Sequence, residues 1–314
     1  MAVTLAGCAS MPRVFFCAHS FVFVCFLVSS ANSTDSPCDR ALAVARRSKC
    51  PSSHWKDMLS PRLWANTSFN VGAPLVYVNA GANKGFAVAE FLQRFHDEGG
   101  RSPSNREWHR SIKSIKPSGM FGCGMCSACK DAYPAASVRR NVSVRVYAFE
   151  LLKPNHWLLS RLFEKHRVPG QAYHAAVSNY SGTAYAPTGV RTGQEWTSAE
   201  MGEQQNPQQL QDVESVGSAM SGGGSGRRAR SKSNAKSWAA VQSITVDSFA
   251  RSEGLSHIHW LSIDAEGWDA LILEGASSLL SVRGVDLLEF ECTHAAWGSN
   301  ARIPCSFLAT CPLP

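Results

Sequence analysis

Asn79-Ala80-Gly81-Ala82-Asn83-Lys84-Gly85 closes the apolar run 75–78 and leads into a helix-like pattern over 86–95. Small residues at such a junction suit recognition of a nucleotide-type ligand. Gly81 and Gly85 can take positive φ or admit a ligand close to the backbone, and the next helix turns its N–H groups and positive dipole end towards the strand tip. The spacing G-x-x-x-G departs from G-x-G-x-x-G, which disfavours a nicotinamide or flavin pyrophosphate. Read by itself, the motif also fits a plain strand-to-helix turn with no ligand. Glu150 ends a second apolar run, and a carboxylate at a strand tip can accept both hydrogen bonds of a ribose diol. Three more titratable groups follow apolar runs: Asp264 and Glu266, which could instead cap a helix starting near Gly267, and His294, which could instead be a surface loop residue.

The elements that must position these groups alternate in type. The continuous apolar run 75–78 and the apolar-rich stretches 145–150, 171–178, 259–266 and 285–291 read as strands. Between them, the periodicity predicts helices over 86–95, from Pro154 to His166, and over 267–280, where Trp268, Leu271, Ile272, Gly275 and Leu279 share one face. Strand alternating with helix predicts an α/β fold with a doubly wound parallel sheet.

Four blocks together resemble the FkbM-type S-adenosylmethionine-dependent methyltransferases over 75–291: Val78-Asn-Ala-Gly-Ala-Asn-Lys-Gly85, similar to D-x-G-A-N-x-G; Tyr147-Ala-Phe-Glu150 with Pro154; Ala176-Val-Ser178 with Gly182; and Ile263-Asp-Ala-Glu-Gly267 with Leu273-Glu-Gly-Ala276. The resemblance implies a Rossmann-like class I methyltransferase fold, whose sheet adds an antiparallel hairpin after the fifth strand; only 292–314 follow that strand here, so the expectation is a fold lacking the C-terminal β-hairpin or a truncated or misassembled gene product. That shortfall predicts an exposed sheet edge. It implies S-adenosyl-L-methionine as cofactor, with 80–85 around its methionine end and Glu150 on its ribose. The implied cofactor-binding residues are Asn79, Ala80, Gly81, Ala82, Asn83, Gly85, Glu150 and Asp264. Asp264 and Glu266 face the methyl group and acceptor in this reading, and His294 is a candidate base. Where the family usually has Asp, this chain has Asn79, which keeps the hydrogen-bonding shape and loses the charge.

Methyl transfer to an alcohol is an in-line displacement in which positioning does most of the work and a base assists. The expected activity is O-methylation of a sugar hydroxyl in a glycan or glycolipid. A catalytically inactive methyltransferase-like binding protein of the secretory pathway is the alternative, motivated by Asn79 and the short C-terminus. Asp264 with Glu266 could in principle hold magnesium, but no further oxygen ligands are evident and no metal is assigned.

The chain of 314 residues is 44% apolar, enough for one large domain with appendages. Its net charge of +7 comes largely from 227–236, and no basic stripe with interleaved aromatics points to nucleic acid. The expected divisions are a signal peptide or signal anchor at 1–31, an N-terminal extension at 32–70, the methyltransferase domain at 71–296 with insertions at 97–143 and 187–240, and a tail at 297–314. Residues 14–28 are apolar but interrupted by His19 and Ser20, which favours a cleaved leader and leaves membrane anchoring open. Sequons at Asn32, Asn66, Asn141 and Asn179 allow glycosylation, so the expected address is the Golgi lumen or membrane, or secretion.

Three of the eleven cysteines lie in the leader, and the even remainder suits disulfides. Within the first insertion, which is expected to cover one edge of the cleft, Cys123, Cys126 and Cys129 have spacing that also admits a soft metal. The second insertion, rich in Gln, Ser, Gly and Arg, is expected to lack fixed structure.

Overall fold

Every residue of β2, Leu75–Ala80, is buried, as a strand covered by helices on both faces requires. In the computed structural model, which describes residues 21–26, 73–96, 102–119, 142–194 and 238–292, this strand lies inside an eight-stranded sheet. The other strands are β1 (Phe21–Phe26), β3 (Val144–Glu150), β4 (Gly170–Val177), β5 (Gly182–Pro187), β6 (Trp238–Ile244), β7 (Ile258–Ile263) and β8 (Val285–Cys292). Their order is β1-β8-β7-β2-β3-β4-β6-β5. The run from β8 to β6 is parallel, and β1 and β5 flank it antiparallel. The α/β doubly wound sheet expected from the alternation is present. Its connections go from β2 to β3 and β4 on one side and to β7 and β8 on the other, which places the topological switch point between β2 and β7.

Six helices accompany the sheet among the described residues: α1 (Phe86–Phe95), α2 (Asn105–Ile115), α3 (Lys153–His166), α4 (Val246–Ser252), α5 (Asp269–Glu274) and α6 (Ser277–Ser281). Alternate strand residues feed two cores. Tyr77, Trp260 and Leu287 meet α1, α2 and α3 through Phe91, Trp108 and Leu158. Val78, Leu261 and Phe290 meet α4, α5 and α6 through Phe249, Ile272 and Leu280. No helix of the described residues is long and apolar enough to cross a membrane.

Four differences from the sequence expectations have physical causes. The helix expected over 267–280 is two helices that meet at Gly275, where an added Cβ would stand 2.1 Å from the Ser178 carbonyl oxygen. Asp247, from α4, accepts from Ser278 N–H at 2.8 Å and Leu279 N–H at 3.0 Å and so starts α6. Part of the first insertion is core: α2 opens with a capping box between Ser104 and Glu107 and buries Trp108 and Ile112. The second insertion is flanked by the antiparallel pair β5 and β6, which takes up its expected margins at Pro187 and 238–240. Finally, β8 is not the sheet edge, because β1 pairs along it from Phe21↔Cys292 to Phe26↔Leu287. The expected tail, the three closely spaced cysteines and most of the expected leader lie outside the described residues.

Candidate functional site

The ends of β2, β3 and β7 meet at one edge of the sheet. Gly81 and Ala82 N–H donate to the Phe149 carbonyl at 3.1 and 2.9 Å, and Asp264 N–H donates to the Ala80 carbonyl at 2.9 Å. The glycine turn is therefore fastened to the tips of both neighbouring strands. Gly81 has φ +85°, and a Cβ there would lie 1.9 Å from the Asp264 carbonyl oxygen, so the approach of the two tips requires glycine. Gly85 packs against Leu159 and Trp108, and the Trp108 indole N–H donates to the Lys84 carbonyl at 2.8 Å. Helix α2 thus braces the turn from the side of the α1 N-terminus, which has no side-chain cap.

Asn79 and Glu150 are the buried polar groups of this edge. Asn79 is 1% exposed; its amide Nδ2 donates to the Ser262 carbonyl at 3.4 Å, while its Oδ1 is buried with no hydrogen-bond partner. A buried acceptor without a donor is costly, and a ligand ammonium or hydroxyl would satisfy it. Glu150, 5% exposed, accepts from Asn83 N–H at its Oε2 and from Leu152 N–H at its Oε1, both at 2.7 Å. Burial pushes its carboxyl up to about 7, against the opposing pull of those two amides, the Asn155 amide and the Lys84 ammonium. Each carboxylate oxygen has acceptor capacity beyond one backbone bond, so the group can still take ribose hydroxyls.

Asp264 is exposed at the tip of β7, and Glu266, half-buried, has φ +51°. Left-handed backbone in a non-glycine residue is strained and calls for a reason. The N-cap position of the helix that follows is Trp268, which makes no side-chain cap. The acid placed there is Asp269, 0% exposed, whose Oδ2 accepts from Gly267 N–H at 3.3 Å. The structure thus brings Asn79, Ala80, Gly81, Ala82, Asn83, Gly85, Glu150, Asp264 and Glu266 to one edge, while His294 lies outside the described residues.

Sequence reasoning missed several groups. Lys84 is buried, and its Nζ donates to the Gly193 carbonyl at 3.2 Å. Asn155, 1% exposed, bridges the turn to residues 193 and 194. Only tertiary contact marks either one. Behind Asn79, Ser262 pairs in register with Glu289 and its hydroxyl donates to Glu289 Oε2 at 3.4 Å, which extends a polar row across three strands. At the opposite edge of the sheet, His257, His259 and Asp286 cluster with ligand atoms within 4.8 Å of one another. There Val76 N–H donates to His259 Nδ1 at 2.9 Å, so the neutral ring carries its proton on Nε2 and presents a donor rather than a metal-binding lone pair.

A family model described as the methyltransferase FkbM domain matches residues 123–304. Strand β2 and its turn precede that stretch and join it through pairing with β3 and β7. Neither the search of curated proteins nor that of solved structures returned a match.

Proposed function

Because the chain belongs to the FkbM methyltransferase family, we propose that it transfers the methyl group of S-adenosyl-L-methionine to an alcohol oxygen, a sugar hydroxyl of a glycan or glycolipid being the acceptor. The observation that carries the reading is the buried, unpartnered Asn79 Oδ1 beside a glycine turn at the switch point of a parallel sheet. An acceptor there fits the ammonium of an amino acid, and the Glu150 carboxylate fits a ribose diol. The turn 80–85 would wrap the methionine end. When bound, that cofactor supplies an electrophilic methyl carbon on a sulfonium.

The chain's own residues supply position. Asp264, exposed beside Gly81, and Glu266 stand where an acceptor hydroxyl can be oriented by hydrogen bonds. A proton leaves the hydroxyl as the new bond forms, and Asp264, Glu266 or His294 is its proposed recipient. The sugar class rests on the secretory features of the sequence: the apolar run 14–28, the sequons and the even set of cysteines beyond the leader. The same features support a proposed address in the Golgi lumen, at its membrane through 14–28, or outside the cell.

The test is to incubate the purified chain with S-adenosylmethionine radiolabelled in its methyl group and a pool of glycans and glycolipids. Label in sugar is the expected result. Label only in protein or small metabolites removes the sugar acceptor and keeps the methyltransferase. Binding without transfer favours a non-catalytic binding protein, and absence of binding overturns the cofactor reading.

A further inference from the structure

Residues 188–194 run back from the end of β5 and end against the glycine turn. Thr192 and Gly193 are buried, although the segment lies between an outer strand and the rest of a polar insertion. One side chain accounts for much of this. Asn155, in the first turn of α3, accepts from Gly193 N–H at its Oδ1 at 2.6 Å, and its Nδ2 donates to the Gln194 carbonyl at 2.9 Å and to Asn83 Oδ1 at 3.3 Å. Lys84 Nζ adds its bond to the Gly193 carbonyl at 3.2 Å.

The same turn is tied to the carboxylate of β3, because Asn83, at φ +44°, donates its N–H to Glu150 Oε2. Strap, turn and carboxylate therefore share one network whose hub is Asn155. An Asn in this place fills every role: its oxygen meets a donor and its amide meets acceptors. Ser, Asp or Ala would leave buried backbone groups unmatched.

We propose that Asn155 is a positioning residue that fastens the strap 188–194 to the glycine turn and thereby fixes Asn83, in the turn around the methionine end of the cofactor, and Glu150, at its ribose. This rests on the cofactor reading above. Asn155 need not touch the cofactor; it acts through Asn83 and Glu150. Cofactor binding and order in the strap are then coupled: whatever loosens one loosens the other.

The experiment uses the full chain, with Asn155→Ala and Asn155→Asp as variants, S-adenosylhomocysteine as the calorimetric probe and hydrogen exchange as the second readout. In the wild type, the probe should bind and slow exchange over 188–194. Asn155→Ala should speed exchange over 188–194 and raise the dissociation constant by about tenfold, the effect of losing a buried hydrogen-bond partner. Asn155→Asp keeps the acceptor for Gly193 but sets a second carboxylate near Glu150, so its loss of affinity should grow as pH rises from about 6 to 8, while that of Asn155→Ala does not. A merely structural Asn would not produce that difference between two variants of similar size. Wild-type binding with both variants within twofold of it, or exchange over 188–194 indifferent to substitution, overturns the proposal. Failure of the wild type to bind overturns the cofactor reading instead, and the coupling with it.

Discussion

Glu150 sits in a balance that solution pH can tip. Its carboxyl titrates near 7 because burial raises it more than its amide donors lower it. A carboxylate accepts ribose hydroxyls more strongly than a carboxylic acid does, so affinity for S-adenosylhomocysteine should increase from about pH 6 to 8. Glu150→Gln should flatten that profile and weaken binding by about 2 kcal/mol, roughly 30-fold, as calorimetry can show. Gly81 bears a different burden. Gly81→Ala must take a side chain to φ +85° and into the Asp264 carbonyl. It should lower stability by roughly 3 kcal/mol in denaturant titrations and abolish binding of the probe at the same time.

At the scale of elements, the His259 contact joins β7 to β2 at the edge away from the site. Burial lowers the imidazole of His259 to about 4, with the neighbouring His257 acting in the same direction and Asp286 against it. The folded state therefore holds a neutral ring that accepts the Val76 N–H, while the unfolded chain protonates near its ordinary value of 6.5. Stability from this group is complete above that value and declines as pH falls through the window towards 4. Thermal melts across that window should show the decline, and His259→Asn should reduce it.

The elements differ in how plainly the sequence announces them. The run 75–78 is apolar without interruption, as a strand covered on both faces requires, while 145–150 is broken only at its ends by Arg145 and Glu150 and 285–291 carries Asp286, Glu289 and Glu291 among its apolar residues; all three appear as strands within a residue or two. Helix α2 is signalled by Ser104 and Glu107, three residues apart, within a stretch whose Gly, Ser, Arg and cysteine content drew it instead into an insertion over one edge of the cleft. The break at Gly275 was invisible, because it answers to a carbonyl of Ser178 nearly a hundred residues earlier in the chain. In the site, glycines and terminal acids were legible because backbone geometry demands them locally. Asn155 and Lys84 were not, because their partners are backbone groups 38 and 109 residues away.

For the molecule as a whole, both margins of the parallel sheet carry an antiparallel strand. On one margin that strand is β1, six residues drawn from the run 14–28 expected to belong to a leader or anchor. Without β1, the backbone N–H and carbonyl groups of β8 that face away from β7 lose their partners. A chain begun at residue 32 should therefore self-associate at micromolar concentration in light scattering, while the full chain remains monodisperse. Were 1–31 a cleaved leader, the cut after Ala31 would carry off β1 with it and unzip one flank of the sheet, so that cleavage and closure of this edge would exclude one another.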